Sequence, residues 1–456
     1  MTQPGASGSH VPAGVAPETG LVRALGLGDS VALIMGIMIG SGIFLMAGSI
    51  AMQLESLPMV MAVWAFGGLL SLCGAVALSE LGAALPAAGG LYVYLARAYG
   101  PATGFVYGWS AISLIHAGSL ATLAAAIGLY AAPILGLSAG VQKILQLGCL
   151  AFFVVINSLG VSVGKWVQNA LTITKVAGIS IMAVLLYYHG NPAMLLERSA
   201  PSGGATVISF GIALVAVLWA YDGWHFVSFA AGEVKQPSRT IPRSLIIGTA
   251  LVFAIYLAVN LAYYAVLPAA EIRGSDRVAA LAVQQAVGPG ASVLISTLII
   301  ISILGTINGI TFGAARVSYA MAKDGLFFRS FARVHPLFRT PVISTIAQGA
   351  FAAVFTLVGT FQQLFTSYIF TSWIFYGLAV AAVIVLRRRE PELERPYRCP
   401  WYPVTPIFFV VATIGIVIST FAAAFWQALL GVVLILTGIP LFSLFRYLGR
   451  SHTRTD

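Results

Sequence analysis

The sequence predicts an all-α integral membrane protein with about twelve transmembrane helices. It carries too little charge for a soluble surface, and its apolar residues come in helix-length blocks. Of 456 residues only 24 are Lys or Arg and 14 are Asp or Glu, while 59% are hydrophobic. A globular domain must cover itself with polar side chains, whereas a bilayer accepts apolar ones and requires only that backbone groups pair internally. The blocks run to roughly 20 residues or more, the length that roughly 30 Å of hydrocarbon demands of a helix.

Spans are predicted at about 30–53, 59–84, 101–131, 141–158, 165–188, 207–232, 243–267, 290–322, 341–358, 363–386, 404–424 and 427–447. With both termini cytoplasmic, parity places eighteen of the 24 Lys and Arg on the cytoplasmic side. Lys143, Arg198, Arg273 and Arg277 fall outside, and Lys175 and Arg316 fall within spans. That asymmetry follows the positive-inside rule and supports an even span count. A short surface helix over about 277–285 precedes the eighth span. Residues 1–24 are rich in Gly, Pro, Ser and Ala and lack an apolar run, so they are expected to form a disordered cytoplasmic tail, not a signal peptide. Residues 25–450 then make one transmembrane domain, with 451–456 a second cytoplasmic tail.

The net charge of +10 is the balance expected of such a protein, and no basic run is interleaved with aromatics in the manner of a nucleic-acid site. Cys73, Cys149 and Cys399 lack the spacing of metal ligands and read as buried structural thiols. No metal or cofactor is called for, and no span supplies the acid, base or metal cluster of a membrane enzyme.

Two spans break their own helices. The first contains Gly40-Ser41-Gly42 near mid-depth, where helix propensity is poorest. The sixth contains Trp219-Ala220-Tyr221-Asp222-Gly223-Trp224, where a carboxylate and a glycine interrupt an apolar run. Unwound backbone at membrane depth must line a cavity. Paired breaks about five helices apart point to an inverted-repeat transporter, with half-helix N-termini facing a carboxylate and freed carbonyls an ammonium, so that the solute is zwitterionic. Gly40-Ser41-Gly42 alone serves equally as a packing motif, since Gly36 and Gly40 form a GxxxG pair. Asp222 tilts the reading toward a site, because a carboxylate at that depth costs roughly 2.5 kcal/mol or more unless it meets water or a partner. As a cap on the broken half-helix it would be structural. Lys175 lies mid-span, too deep to snorkel, and its ammonium can take the place of a sodium ion among freed carbonyls.

The same residues carry a family likeness. Gly40-Ser41-Gly42-Ile43-Phe44, Gly89-Gly90-Leu91-Tyr92, Ala220-Tyr221-Asp222-Gly223-Trp224 and the link from Gly232 to Arg243 resemble the amino acid, polyamine and organocation transporter superfamily, most closely its L-type amino-acid transporter branch. The resemblance implies a LeuT-type fold: repeats over about 30–188 and 207–386, with two added helices over about 404–447. It implies sodium-independent amino-acid exchange by alternating access in the cell membrane. Carried over by position, it places the substrate around Met38, Gly40, Ser41, Gly42, Ile43, Trp219, Ala220, Asp222 and Gly223, with Asn308 nearby, Trp219 as the gate and Lys175 at the vacant sodium position. Acidic residues at the Asp222 position occur in members that accept cationic substrates. Animal members carry an ancillary single-span subunit, which leaves room for one here.

Other motifs have plainer readings. Gly160-Val161-Ser162-Val163-Gly164 fits GxSxG but sits between membrane helices, not at a strand-turn-helix. His116 and His225 are core or cavity residues, and His225, next to the break, is a candidate proton sensor. Glu80 and Glu233 are expected to pair with Arg97, Lys235 or Arg239 or to lock the inward face, Tyr92 and Tyr94 to sit in an interfacial belt, and Arg387-Arg388-Arg389 to anchor to anionic lipid. The alternatives to exchange are a proton-coupled amino-acid or polyamine symporter and, from another class, a non-transporting amino-acid sensor.

Overall fold

The computed structural model describes residues 20–54, 56–191, 193, 195, 206–359 and 361–452. Most of the predicted N-terminal tail and the last residues of the C-terminal one lie outside them. In chain order the helices are α1 (Leu27–Met38), α2 (Gly42–Gln53), α3 (Leu57–Ala84), α4 (Leu91–Tyr99), α5 (Pro101–Leu135), α6 (Ala139–Ser158), α7 (Val161–His189), α8 (Val207–Ala220), α9 (Pro237–Val266), α10 (Ala269–Arg273), α11 (Val278–Val287), α12 (Ala291–Lys323), α13 (Val342–Val358), α14 (Phe361–Arg389), α15 (Val404–Ala423) and α16 (Phe425–His452). A 3-10 segment, Phe226–Glu233, follows α8, and the short predicted surface helix before the eighth span is α11.

Among the described residues nine helices are long and apolar enough to cross a bilayer, ten when α1 and α2 count as one bent span. The expectation was twelve. The difference lies in two shorter helices, α13 and the apolar part of α8 (Ile208–Ala220), the latter cut short by the break that follows it. Large apolar side chains such as Ile144, Ile208 and Leu294 stand exposed on the outside of the bundle, the surface of a multi-pass membrane protein whose solvent is lipid.

The first break falls where the glycines predicted it. α1 ends at Met38 with Ile39 outside helical geometry, and α2 starts at Gly42 with its axis turned by 41°. Such a turn exposes carbonyls that lipid cannot satisfy. The hydroxyl of Tyr256, on α9, lies 2.6 Å from the Met38 carbonyl and 3.0 Å from that of Ala220, and so ties both broken helices to one side chain. At Gly42 a Cβ would lie 2.6 Å from the Ala220 Cα, so only glycine allows the two breaks to touch. The second break continues through a turn in which Gly223 has φ +110°, a left-handed conformation that excludes a side chain at little cost only for glycine.

Several sequence expectations are corrected here. Glu233 pairs with none of the nearby loop cations. It accepts two hydrogen bonds from Arg316 Nη2 (2.9 and 3.1 Å) and one from Nε (3.1 Å), both side chains fully buried. Glu80 accepts from Arg387 at 2.8 and 2.6 Å and from the Cys399 N–H at 2.7 Å, with Arg395 at 3.3 Å. Arg97 instead meets Glu390. Within the triple-arginine tract Arg387 is thus held by protein, and Arg389 donates to the Ala98 carbonyl. Tyr92 and Tyr94 are buried rather than interfacial, and the Tyr92 hydroxyl donates to Asp324. In every case the true partner is distant in sequence, beyond what local spacing can indicate. Cys73 and Cys149 are only half-buried, whereas Cys399 is buried.

Glu233→Gln is expected to strand the Arg316 charge and to cost about 3–5 kcal/mol, read as a lower thermal unfolding midpoint in detergent. The double replacement Glu233→Leu with Arg316→Met removes both charges and should recover much of the loss. Tyr256→Phe removes the one hydroxyl shared by the broken ends and is expected to cost about 1–3 kcal/mol in the same measurement.

Candidate substrate cavity at the helix breaks

The two breaks meet at a cavity lined by Ile37, Met38, Gly40, Ser41, Gly42 and Thr306 on one side and by Trp219, Asp222, Phe226 and Tyr368 on the other, with Ser119, Leu123 and Ile310 between. Its empty volume is about 340 Å³. Because α2 begins at Gly42, the N–H groups of Gly42 and Ile43 have no acceptor within the helix and carry the positive end of its dipole. The Ser41 hydroxyl beside them is buried without a hydrogen-bond partner among the described residues. This is an anion-accepting corner in the sense of a helix N-terminus.

The freed carbonyls of α1 point the other way. Lys175 Nζ, on α7, donates to the carbonyls of Gly36 (2.7 Å), Ile39 (2.8 Å) and Ser302 (2.6 Å), and lies 3.3 Å from the Thr306 hydroxyl. The Ser302 hydroxyl donates to Ile39 O at 2.8 Å, and that of Thr306 to Gly36 O at 3.1 Å. An ammonium has three donors, and here three carbonyls receive them. Lys175 is 1% exposed, and among the described residues no carboxylate lies within ion-pair distance of it.

Asp222 faces the cavity with Oδ1 accepting from the Gly223 N–H (2.9 Å) and the Tyr376 hydroxyl (2.8 Å). No cationic side chain lies within ion-pair distance of it among the described residues. Trp219 packs edge-on against Phe365 of α14, ring centroids 4.9 Å apart.

Of the residues the sequence singled out, Met38, Gly40, Ser41, Gly42, Trp219 and Asp222 come together on the cavity wall. Ile43 lies in the first turn of α2, Ala220 ends α8, Gly223 lies in the turn after it, and Lys175 stands behind the first break. Asn308 is elsewhere: its amide donates to Gln168 and to the Gly164 carbonyl and accepts from Asn157, joining α12 to α6 and α7. Sequence reading passed over Ser119, Leu123, Phe226, Ile310 and Tyr368, which carry no signal in one sequence. Ser302 and Thr306 did carry one: two hydroxyls one turn apart within an apolar span.

Comparison with known proteins agrees with this architecture. The family described as amino acid permease matches residues 25–444. The serine/threonine exchanger SteT of Bacillus subtilis (strain 168) is 33% identical over 428 residues, covering 93% of this chain and 97% of that protein. The human b(0,+)-type amino acid transporter 1 is 31% identical, covering 94% and 88%, and the human cystine/glutamate transporter is 27% identical, covering 93% and 85%. Matched along nearly its whole described length, the chain belongs to the amino acid permease family, whose members compared here are transporters and exchangers, not enzymes.

Proposed function

We propose that this chain is a sodium-independent exchanger that moves amino acids across the cell membrane by alternating access, with both termini cytoplasmic. The observation that carries the reading is the Lys175 ammonium seated on the carbonyls of the broken first helix. A fixed cation there performs the structural task a bound sodium ion would otherwise perform, leaving the transport cycle without a need for one. The anion-accepting corner at Ser41 and Gly42 would take the substrate carboxylate, and carbonyls at Met38, Trp219 and Asp222 its ammonium. Counting α1 with α2, α8 with the 3-10 segment, and α13 as spans gives the twelve of a LeuT-type pair of five-helix repeats with two additional helices. Two of the compared relatives are by name exchangers or transporters of particular amino acids, which supports the substrate class.

The unpaired Asp222 carboxylate favours substrates that bring a second positive charge, and it is equally the group a proton-coupled carrier would use. In proteoliposomes the expected result is uptake of labelled amino acid only when unlabelled amino acid is inside, unchanged when sodium is replaced by potassium. Uptake into empty vesicles driven by a pH gradient would favour symport. Absence of any uptake would overturn the transport reading in favour of a sensor. Lys175→Ala is expected to slow exchange about tenfold or more while the protein still folds in detergent, and partial recovery on adding sodium would identify the site the ammonium fills.

A further inference from the structure

Behind the cavity wall lie two imidazoles that the transport reading does not use. His116 follows directly on a π-helical turn of α5, Ala111–Ile115, and His225 closes the turn after α8. Turns of that wide geometry concentrate at functional sites. Both side chains are 1% exposed. Neither ring nitrogen of His116, nor Nδ1 of His225, has a hydrogen-bond partner among the described residues. Phe226 and Phe229 wedge between them, with centroids 5.5 and 5.4 Å from His116 and 4.9 and 5.3 Å from His225. Phe226 also lines the substrate cavity, and Tyr376, 4.5 Å from His225, donates its hydroxyl to Asp222 on that cavity. One ring therefore separates the pair from the cavity, and one hydrogen bond connects it to the cavity's carboxylate.

We propose that His116 and His225 form a proton-binding pair. It stays neutral while Phe226 and Phe229 seal it, and takes up a proton when the 221–233 segment parts from α5 and water reaches it. An imidazolium sealed among these rings would leave both donors of His116, or the Nδ1 donor of His225, without an acceptor, so the charge and the closed packing oppose each other. Acid then favours the parted arrangement. Among the described residues the other titratable groups around the pair are Tyr221, Asp222 and Glu233 on its own segment, Tyr107 on α5, Tyr94 on α4, Arg316 on α12, and Tyr368 and Tyr376 on α14. Glu233 and Arg316 neutralise each other, which leaves Asp222 as the carboxylate that competes as a source of pH dependence. The link between the proton and transport rests on the exchanger reading; proton binding itself does not.

Trp224 supplies a direct readout, because its ring lies 5.3 Å from that of His225 and an adjacent imidazolium quenches indole emission. Purified protein in lipid nanodiscs, titrated between about pH 8 and pH 5, is expected to show a reversible sigmoidal quench. The quench should be retained in Asp222→Asn, displaced in His116→Gln, and absent from His225→Gln and from the shape-preserving His225→Phe. An unchanged curve in both His225 variants, or no quench in the unaltered protein, overturns the proposal. A mixture of non-aromatic L-amino acids, by holding the cavity closed, should displace the midpoint toward acid. A midpoint that ignores them overturns the coupling, and a quench in protein that exchanges nothing in vesicles would overturn the exchanger reading alone.

Discussion

The structure depends on the grip of one buried ammonium on the peptide carbonyls of a helix that has been opened. Unwinding at Ile39 to Ser41 frees acceptors in a medium that offers no water, and each would be costly if left alone. Lys175, Ser302, Thr306 and Tyr256 supply donors from three different helices, so α1 can be broken only while α7, α9 and α12 stand around it. A buried lysine would in turn be intolerable without those carbonyls. The lysine therefore requires the break, and it shares the freed carbonyls with Ser302, Thr306 and Tyr256.

The cavity follows from that arrangement. Once α1 is divided, α2 presents a fresh N-terminus whose N–H groups need an acceptor, and the second break, pressed against Gly42 through Ala220, sets Trp219 and Asp222 opposite. The polar corner and the carboxylate both line that space. Both walls come from segments whose ends are already free of regular helical hydrogen bonding, the places in a packed bundle where movement disturbs fewest bonds.

Charge is handled differently at the ends of the bundle. Glu80 with Arg387 and Arg395 ties α3 to α14 and to the link before α15, while Glu233 with Arg316 pins the 3-10 segment to α12. Both pairs join the elements that carry the breaks, or pack on them, to the surrounding helices. Glu233 and Arg316 are fully buried and Glu80 nearly so, so breaking either pair would leave a charge with neither water nor partner.

The sequence by itself determined the solvent, the helical class and the position of both breaks, because hydropathy over twenty residues, a glycine pair and a mid-span carboxylate are local properties with local physical consequences. It also singled out Lys175, since a charge too deep to reach the interface must have a polar partner. What only the tertiary structure decided is who meets whom. Glu233 found Arg316 rather than Lys235, Tyr92 and Tyr94 turned inward, Asn308 faced α6 and α7 instead of the cavity, and Tyr256 joined the two broken ends. These pairings span long stretches of chain between helices whose facing surfaces are mostly apolar, so no periodicity distinguishes one neighbour from another until the bundle is packed.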